Sequence, residues 1–152
     1  MTGEKRGLLT AASEGATAVE FAMVLPMFLM LVFGAIEFGR FLWTQEALQE
    51  TAIAGARCVA IAQGSNPTSS PCASSGSYSA TNAKSYIQQI ASGWGLSIPS
   101  SGINPDPVGS GGCTGLSQVT LTSTFTSVVP NLVQLGAGGI TMTASACYPN
   151  NS

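Results

Sequence analysis

The sequence predicts an α+β protein: a long N-terminal transmembrane helix, followed by a small disulfide-stapled domain with an antiparallel sheet and a short helix. Three observations predict this class. An uncharged apolar run lies near the N-terminus, two segments near the C-terminus alternate apolar with Thr or Ser side chains, and four cysteines follow the apolar run. Charge divides the chain too, because ten of its twelve charged residues lie between Glu4 and Arg57.

Composition excludes several classes of function. The net charge is -2 and no basic cluster is present, which argues against nucleic-acid binding. The chain has no histidine, so it lacks the general base of Ser–His and Cys–His catalysis and the usual ligands of catalytic zinc. The cysteines include no C-x-x-C pair. We therefore expect no catalytic residue, no metal and no cofactor.

The apolar run extends from Phe21 to Ile36, sixteen residues without a charge. A bilayer core of about 30 Å needs about 20 helical residues, so flanking residues must complete a span, which we place at residues 16–43. Lys5 and Arg6 precede the run and few basic residues follow it, which predicts a cytoplasmic N-terminus and an exported C-terminal part. One alternative is a cleaved signal peptide, although no small-x-small site follows the run. Another is a plain uncleaved anchor.

A sequence motif surrounds the start of the run. The segment Gly15-Ala16-Thr17-Ala18-Val19-Glu20-Phe21 resembles a type IV prepilin processing site. Joined to Val24-Leu25-Pro26, Ile36–Arg40 and Ala54–Arg57, it resembles the TadE-like family, which are pilin-like proteins of the tight-adherence (Flp) pilus. The resemblance covers residues 15 to 57 and is weak beyond them, except in the Thr-rich ending from Ile140 to Ala146.

The resemblance implies a processing site and a set of partners. Residues 1–15 would be a leader that a prepilin peptidase removes by cutting between Gly15 and Ala16. The implied partners are this peptidase, other pilin subunits, the inner-membrane assembly platform and membrane phospholipid. The implied location is the bacterial inner membrane, with the C-terminal domain in the periplasm and, after assembly, on an extracellular pilus.

Two residues beside and within the run have expected roles in assembly. Cleavage would create an ammonium at Ala16, and Glu20, followed by Phe21, would neutralise that charge on a neighbouring subunit and so set the register. Charges beside a membrane segment are costly unless they are paired. The alternative is that Glu20 stays hydrated at the headgroup level. Pro26 removes a helix hydrogen bond inside the run, so we expect a kink there.

Residues 44–63 are expected to extend the same helix, because no proline interrupts the stretch from Phe38 to Gln63. Its apolar residues recur at helical spacing, and its charged residues fall on the opposite side. A stripe of small residues either packs on the protein's own domain or faces neighbouring helices. These three sets are Leu48, Ala52, Gly55 and Val59; Glu46, Glu50 and Arg57; and Ala52, Gly55, Ala56 and Ala60. Glu37 and Arg40 are spaced to form an i,i+3 pair.

The exported domain, residues 64–152, is expected to be held by disulfides, since small domains outside the cytoplasm depend on them. Of the three possible pairings we favour Cys58 with Cys72 and Cys113 with Cys147. Free thiols are the alternative. Asn82–Trp94 has the pattern of a short amphipathic helix with Thr81 as its N-cap and Trp94 on its apolar face. Alternation predicts two paired antiparallel strands, Gln118–Thr126 and Gly139–Cys147.

Three classes of function compete: a pilin-like structural subunit, an enzyme, and an anchored binding module. The first is favoured, as a minor pilin or pseudopilin in the biogenesis of a tight-adherence pilus. An enzyme is disfavoured because Asp106 is the single aspartate and the glutamates lie on or near the N-terminal helix. The alternative is an uncleaved single-span protein with a periplasmic interaction domain, and retention of the leader would indicate it.

Overall fold

The computed structural model describes residues 4–64, 67–127 and 139–150. It confirms the predicted α+β class, with a long apolar N-terminal helix, a short second helix, antiparallel sheets and two disulfides. The helices are α1 (Glu4–Gln63) and α2 (Ala80–Gly93), and the strands are β1 (Ala73–Ser74), β2 (Ser77–Tyr78), β3 (Ile103–Asp106), β4 (Leu116–Phe125) and β5 (Ile140–Pro149).

Helix α1 is 60 residues long, which corresponds to about 90 Å at 1.5 Å per residue. It begins at Glu4, inside the expected leader, continues through Pro26 and ends at Gln63, where the sequence pattern places the end. Its second half packs against the rest of the protein, whereas the side chains of residues 17–31 are almost all exposed. The kink expected at Pro26 stays a prediction.

The main sheet has the strand order β3-β4-β5 and is antiparallel throughout. Strands β4 and β5 pair in the expected register, with Gln118 opposite Cys147 and Phe125 opposite Ile140. Strand β3 was not expected. It is short and contains Pro105, which an edge strand tolerates because one of its sides has no ladder to complete. Strands β1 and β2, with two residues each, form a hairpin that was not predicted either.

The core lies between one face of this sheet and the two helices. Every second residue of β4 and β5 points into it, as the alternation predicts: Val119, Leu121 and Phe125 from β4, and Met142, Ala144 and Ala146 from β5. The small-residue stripe of α1 faces inward, so it packs on the protein's own domain. A Cβ at Gly55 would lie 2.9 Å from Ile87 Cγ1, and a glycine there lets α2 approach α1 closely.

Helix α2 differs from the prediction at both ends. Its N-cap is Ser79 rather than Thr81, because the chain is still extended at Ser79 and its hydroxyl accepts a hydrogen bond from the Asn82 N–H. At the C-terminus the Leu96 N–H donates to the Ala91 carbonyl and the Gly95 N–H to the Ser92 carbonyl. These bonds and the positive φ of Gly95 form a Schellman motif, which ends the helix at Gly93, one residue before the predicted end, with Trp94 as the C-cap.

The end of the domain farthest from the apolar half of α1 is tied by covalent and polar links. Cys58 is bonded to Cys72 and Cys113 to Cys147, which is the pairing favoured from the sequence. The last residue of α1, Gln63, donates from Nε2 to the Pro107 carbonyl at 2.9 Å and to the buried Ser117 hydroxyl at 2.6 Å. The C-terminus of α1 is therefore fixed to the start of β4.

Candidate functional site

The first half of α1 is a bare apolar surface. Between Val19 and Trp43 most large side chains are exposed, and no described element of the domain packs on residues 17–31. Among the described residues, α1 is the helix long and apolar enough to cross a membrane, and its most apolar window has none of its residues buried. Such a patch is far larger than a soluble monomer normally exposes. The apolar helix thus suggests a membrane anchor.

The residues assigned to processing and register lie at the start of this surface. Gly15 and Ala16 are inside α1, and their surroundings lie outside the described part of the structure. Glu20 is exposed and Phe21 is 65% exposed. Residues 16 and 20 are one helical turn apart and share a face of the helix. Both Glu20 and Phe21 are therefore open to a partner from outside this chain.

A partly buried ion pair marks the point where the domain begins to cover α1. The predicted pair is present: Arg40 Nη1 donates to Glu37 Oε2 at 3.1 Å. The Glu37 side chain is only 8% exposed, whereas Arg40 is about half exposed. The Arg40 guanidinium lies 5.7 Å from the centre of the Phe125 ring, which makes an edge contact with Phe41. The pair therefore joins α1 to the end of β4. We call the contact of Glu37, Arg40 and Phe41 on α1 with Phe125 on β4 the junction.

An aromatic pair lies beside the junction. Trp43 on α1 and Trp94 at the end of α2 contact each other with ring centroids 5.8 Å apart. The expectation that Trp94 belongs to the buried face of α2 was wrong, since 42% of it is exposed. It follows the last helical residue, where the Schellman motif turns the chain, so the helical periodicity no longer determines its direction.

Farther along α1, the charged side chains of Glu46, Glu50 and Arg57 are exposed, as the pattern predicts. A shallow groove of about 430 Å³ runs between Glu50, Arg57 and Tyr86. Within residues 17–64, 67–127 and 139–150, no three His, Cys, Asp or Glu side chains are close enough to hold a metal ion. The candidate functional features of the described residues are therefore the bare apolar surface of α1 and the side-chain contacts beside it.

The protein is a long helix with a bare apolar half, and the other half of this helix carries a small disulfide-bonded α+β domain. The family model described as TadE-like protein matches residues 15–57. This match confirms the resemblance over the start of the apolar run, the junction and the covered half of α1, and it supports a pilin-like protein associated with the tight-adherence pilus. No curated protein and no solved structure matches the chain.

Sequence reasoning found the Glu37–Arg40 pair but not its burial or its contact with Phe125. The signal was present in the pattern of β4 and β5. Their register places Phe125 at the end of the ladder nearest the apolar run, and its position on the inward face directs the ring toward α1. The contact between Trp43 and Trp94 had no such signal, because it depends on how α2 ends.

Proposed function

We propose that the protein is a minor pilin-like structural subunit for the biogenesis of a tight-adherence (Flp) pilus. In this proposal a prepilin peptidase removes residues 1–15, the mature chain waits in the inner membrane, and the exported domain lies in the periplasm. The observation that carries the proposal is the TadE-like match over residues 15–57, which contain the whole bare apolar surface of α1.

The bare surface explains why such a protein would exist in two states. Exposed apolar area of this size has to be covered, by lipid before assembly and by the helices of other subunits afterwards. One surface serves both states because lipid tails and apolar side chains are equally compatible with it. Association with other pilin subunits then replaces lipid contacts by helix–helix packing, which is compatible with the proline that the run contains.

Glu20 would supply the specificity that apolar packing lacks. After cleavage the Ala16 ammonium and the Glu20 carboxylate lie within one turn of each other, and both are costly to bring into a helix bundle unpaired. A carboxylate of one subunit that pairs with the ammonium of its neighbour satisfies both groups and fixes the axial offset between subunits. The exposure of Glu20 supports this role, since no described side chain covers it.

A structural role is favoured over an enzymatic one. Of the described titratable residues, Glu46, Glu50 and Arg57 are exposed on one helix, and Asp106 accepts hydrogen bonds from the Val108 and Gly109 N–H groups of its own turn. The four cysteines are bonded in pairs. These arrangements support stability of the domain and contacts with partners rather than acid–base or nucleophilic chemistry.

The test of the proposal uses two variants and a matched control in the native host. Gly15→Ile is expected to leave a full-length precursor in the membrane fraction, since a bulky residue would block the cut. Glu20→Ala is expected to be cut normally but to be missing from pili sheared off the cells. Gly93→Ala on α2 is the control, because this residue lies outside the bare apolar surface and a Cβ there meets nothing within 4 Å. Normal pili from the Glu20→Ala strain would refute the pairing.

A further inference from the structure

The two tryptophans of the chain are next to each other, although 51 positions separate them in the sequence. Trp43 is 59% exposed and Trp94 is 42% exposed. Large aromatic side chains are usually buried, since they contribute more apolar area than any other residue. Two exposed tryptophans in contact therefore form an apolar surface whose exposure to water is unfavourable.

The end of α2 places one of these rings. Contacts of Ile87 with Gly55 and of Trp94 with Trp43 show that α2 runs back along α1, toward the apolar half. The Schellman motif at Gly95 ends α2 at this level and returns the chain toward the core at Leu96, which packs against the core. Trp94 is thus, like Phe125, a described residue of the domain that lies at the level where the apolar half of α1 ends.

The length of the apolar run sets the depth of the pair. Phe21–Ile36 covers about 24 Å as a helix, so a hydrocarbon core of about 30 Å needs about four more residues. If all of them come from the domain side, the core ends near residue 40, and Trp43 lies about 4.5 Å farther out. If they are shared between the two ends, the distance is about 7.5 Å. Both positions are in the headgroup layer, where tryptophan is enriched.

The surface between the apolar run and the tryptophans is continuous. A groove of about 480 Å³ connects them, with Ile36 and Gly39 at the run and Trp94 and Leu96 on the domain. Arg40, whose side chain is about half exposed, borders the same groove. Apolar walls, indole N–H groups and one guanidinium match the glycerol and phosphate region of a phospholipid, which offers esters and an anionic oxygen.

We propose that the surface formed by Trp43, Trp94 and the groove beside them binds the phospholipid headgroup layer of the membrane that α1 crosses. The exported domain then rests on the bilayer with the end of α2 in the headgroups, and Arg40 faces a lipid phosphate. This inference rests on the proposed function in one respect, that α1 spans a membrane. Its consequence is that the domain has a fixed tilt before assembly.

The tryptophans themselves supply the measurement, because the chain has no others. Trp43→Phe and Trp94→Phe variants of the full chain each keep one fluorophore. They are reconstituted in vesicles whose phospholipids carry bromine near the glycerol end or near the methyl end of the acyl chain. We expect bromine near the glycerol end to quench Trp94 emission by about half and bromine near the methyl end to quench it much less, as for a side chain in the headgroup layer.

Two matched controls in the background without both native tryptophans set the scale. Phe28→Trp lies in the middle of the apolar run and should be quenched most by bromine near the methyl end. Tyr148→Trp lies at the opposite end of β5 from the junction and should not be quenched.

Each result decides the inference. Quenching of Phe28→Trp together with an unquenched, water-exposed Trp94 would overturn it while leaving the membrane anchor intact. A blue-shifted Trp94 that bromine leaves unchanged would show protein covering the surface and would also overturn it. If the chain does not float with the vesicles, both the inference and the membrane part of the proposed function fail.

Discussion

Replacing Arg40 by Met should destabilise the domain, because it leaves the buried Glu37 carboxylate without its guanidinium. Methionine keeps an apolar stem near Phe125 and removes only the charge and the hydrogen bonds. A hydrogen bond to a charged group contributes about 1.5–3 kcal/mol, and the half-exposed position of Arg40 reduces this contribution through solvent screening. We therefore expect a loss of about 1–2 kcal/mol in the free energy of unfolding.

The assay is urea unfolding of the full chain in detergent micelles, followed by tryptophan fluorescence, since Trp43 and Trp94 lie beside the junction. Glu37→Gln should cost less than Arg40→Met, because the guanidinium that remains reaches water. The double variant should lose less than the sum of the two single losses. Arg57→Met is the matched control, an exposed arginine on the same helix, and should change stability by less than about 0.5 kcal/mol.

Additivity of the two single substitutions within about 0.5 kcal/mol would refute the reasoning, since residues in direct contact should couple. So would an Arg40→Met variant as stable as the Arg57→Met control. Either result would mean that Glu37 is satisfied without Arg40.

Three further predictions concern the exported domain and use the same unfolding assay. Gly95→Ala should lower the free energy of unfolding by about 1 kcal/mol, because the φ of +76° at this residue is unfavourable for a side chain. Gly93→Ala inside α2 should be neutral or stabilising, and equal effects of the two substitutions would contradict this. Burial, with a smaller effect of Asp106, raises the pKa of Tyr78, so folding stability should be complete below about pH 10 and fall as the pH rises through the raised pKa. Tyr78→Phe should abolish that alkaline loss without lowering stability at neutral pH, since the hydroxyl has no hydrogen-bond partner among the described residues. An unchanged alkaline loss would show that Tyr78 is not the group responsible. Replacing both Cys113 and Cys147 by Ser should cost about 4 kcal/mol, more than the roughly 3 kcal/mol for the other bridge, because their separation of 34 residues exceeds 14; the reverse order would contradict the chain-entropy argument.

Periodicity predicted the elements whose burial follows a regular pattern. The alternation in β4 and β5 was strict enough to give their register correctly, since a shift by one residue would turn every Thr toward the core. The inward face of α2 and the face of α1 that carries Leu48, Ala52 and Val59 followed from helical spacing in the same way. In each of these segments one face is buried against the core.

The features that the sequence did not predict depend on single residues or on tertiary contacts. Strand β3 has too few residues for a period, and Pro105 argues against a strand unless its edge position is known. Ser79 and Thr81 are both good N-caps, and the choice depends on where β2 ends. The burial of Glu37 depends on how far the domain reaches along α1, and the exposure of Trp94 depends on how α2 ends; no local pattern encodes either.

Of the proposed site, sequence reasoning supplied the residues and the structure supplied their surroundings. Glu20 and Phe21 were chosen from the motif, and their exposure was not deducible because it requires that the domain begin farther along α1. Sequence reasoning favoured the observed pairing of the four cysteines over two others, since the expected strand ladder brings Cys113 close to Cys147.

Intact-mass spectrometry of the protein from its native host tests the central claim most directly, with membrane and sheared-pilus fractions compared under non-reducing conditions. The account predicts a mature chain that begins at Ala16, present in the pilus fraction, with the mass of two disulfides, two hydrogens lost at each. A chain that still carries Met1 to Gly15 in every fraction would contradict prepilin processing. It would leave an uncleaved membrane protein with an exported interaction domain.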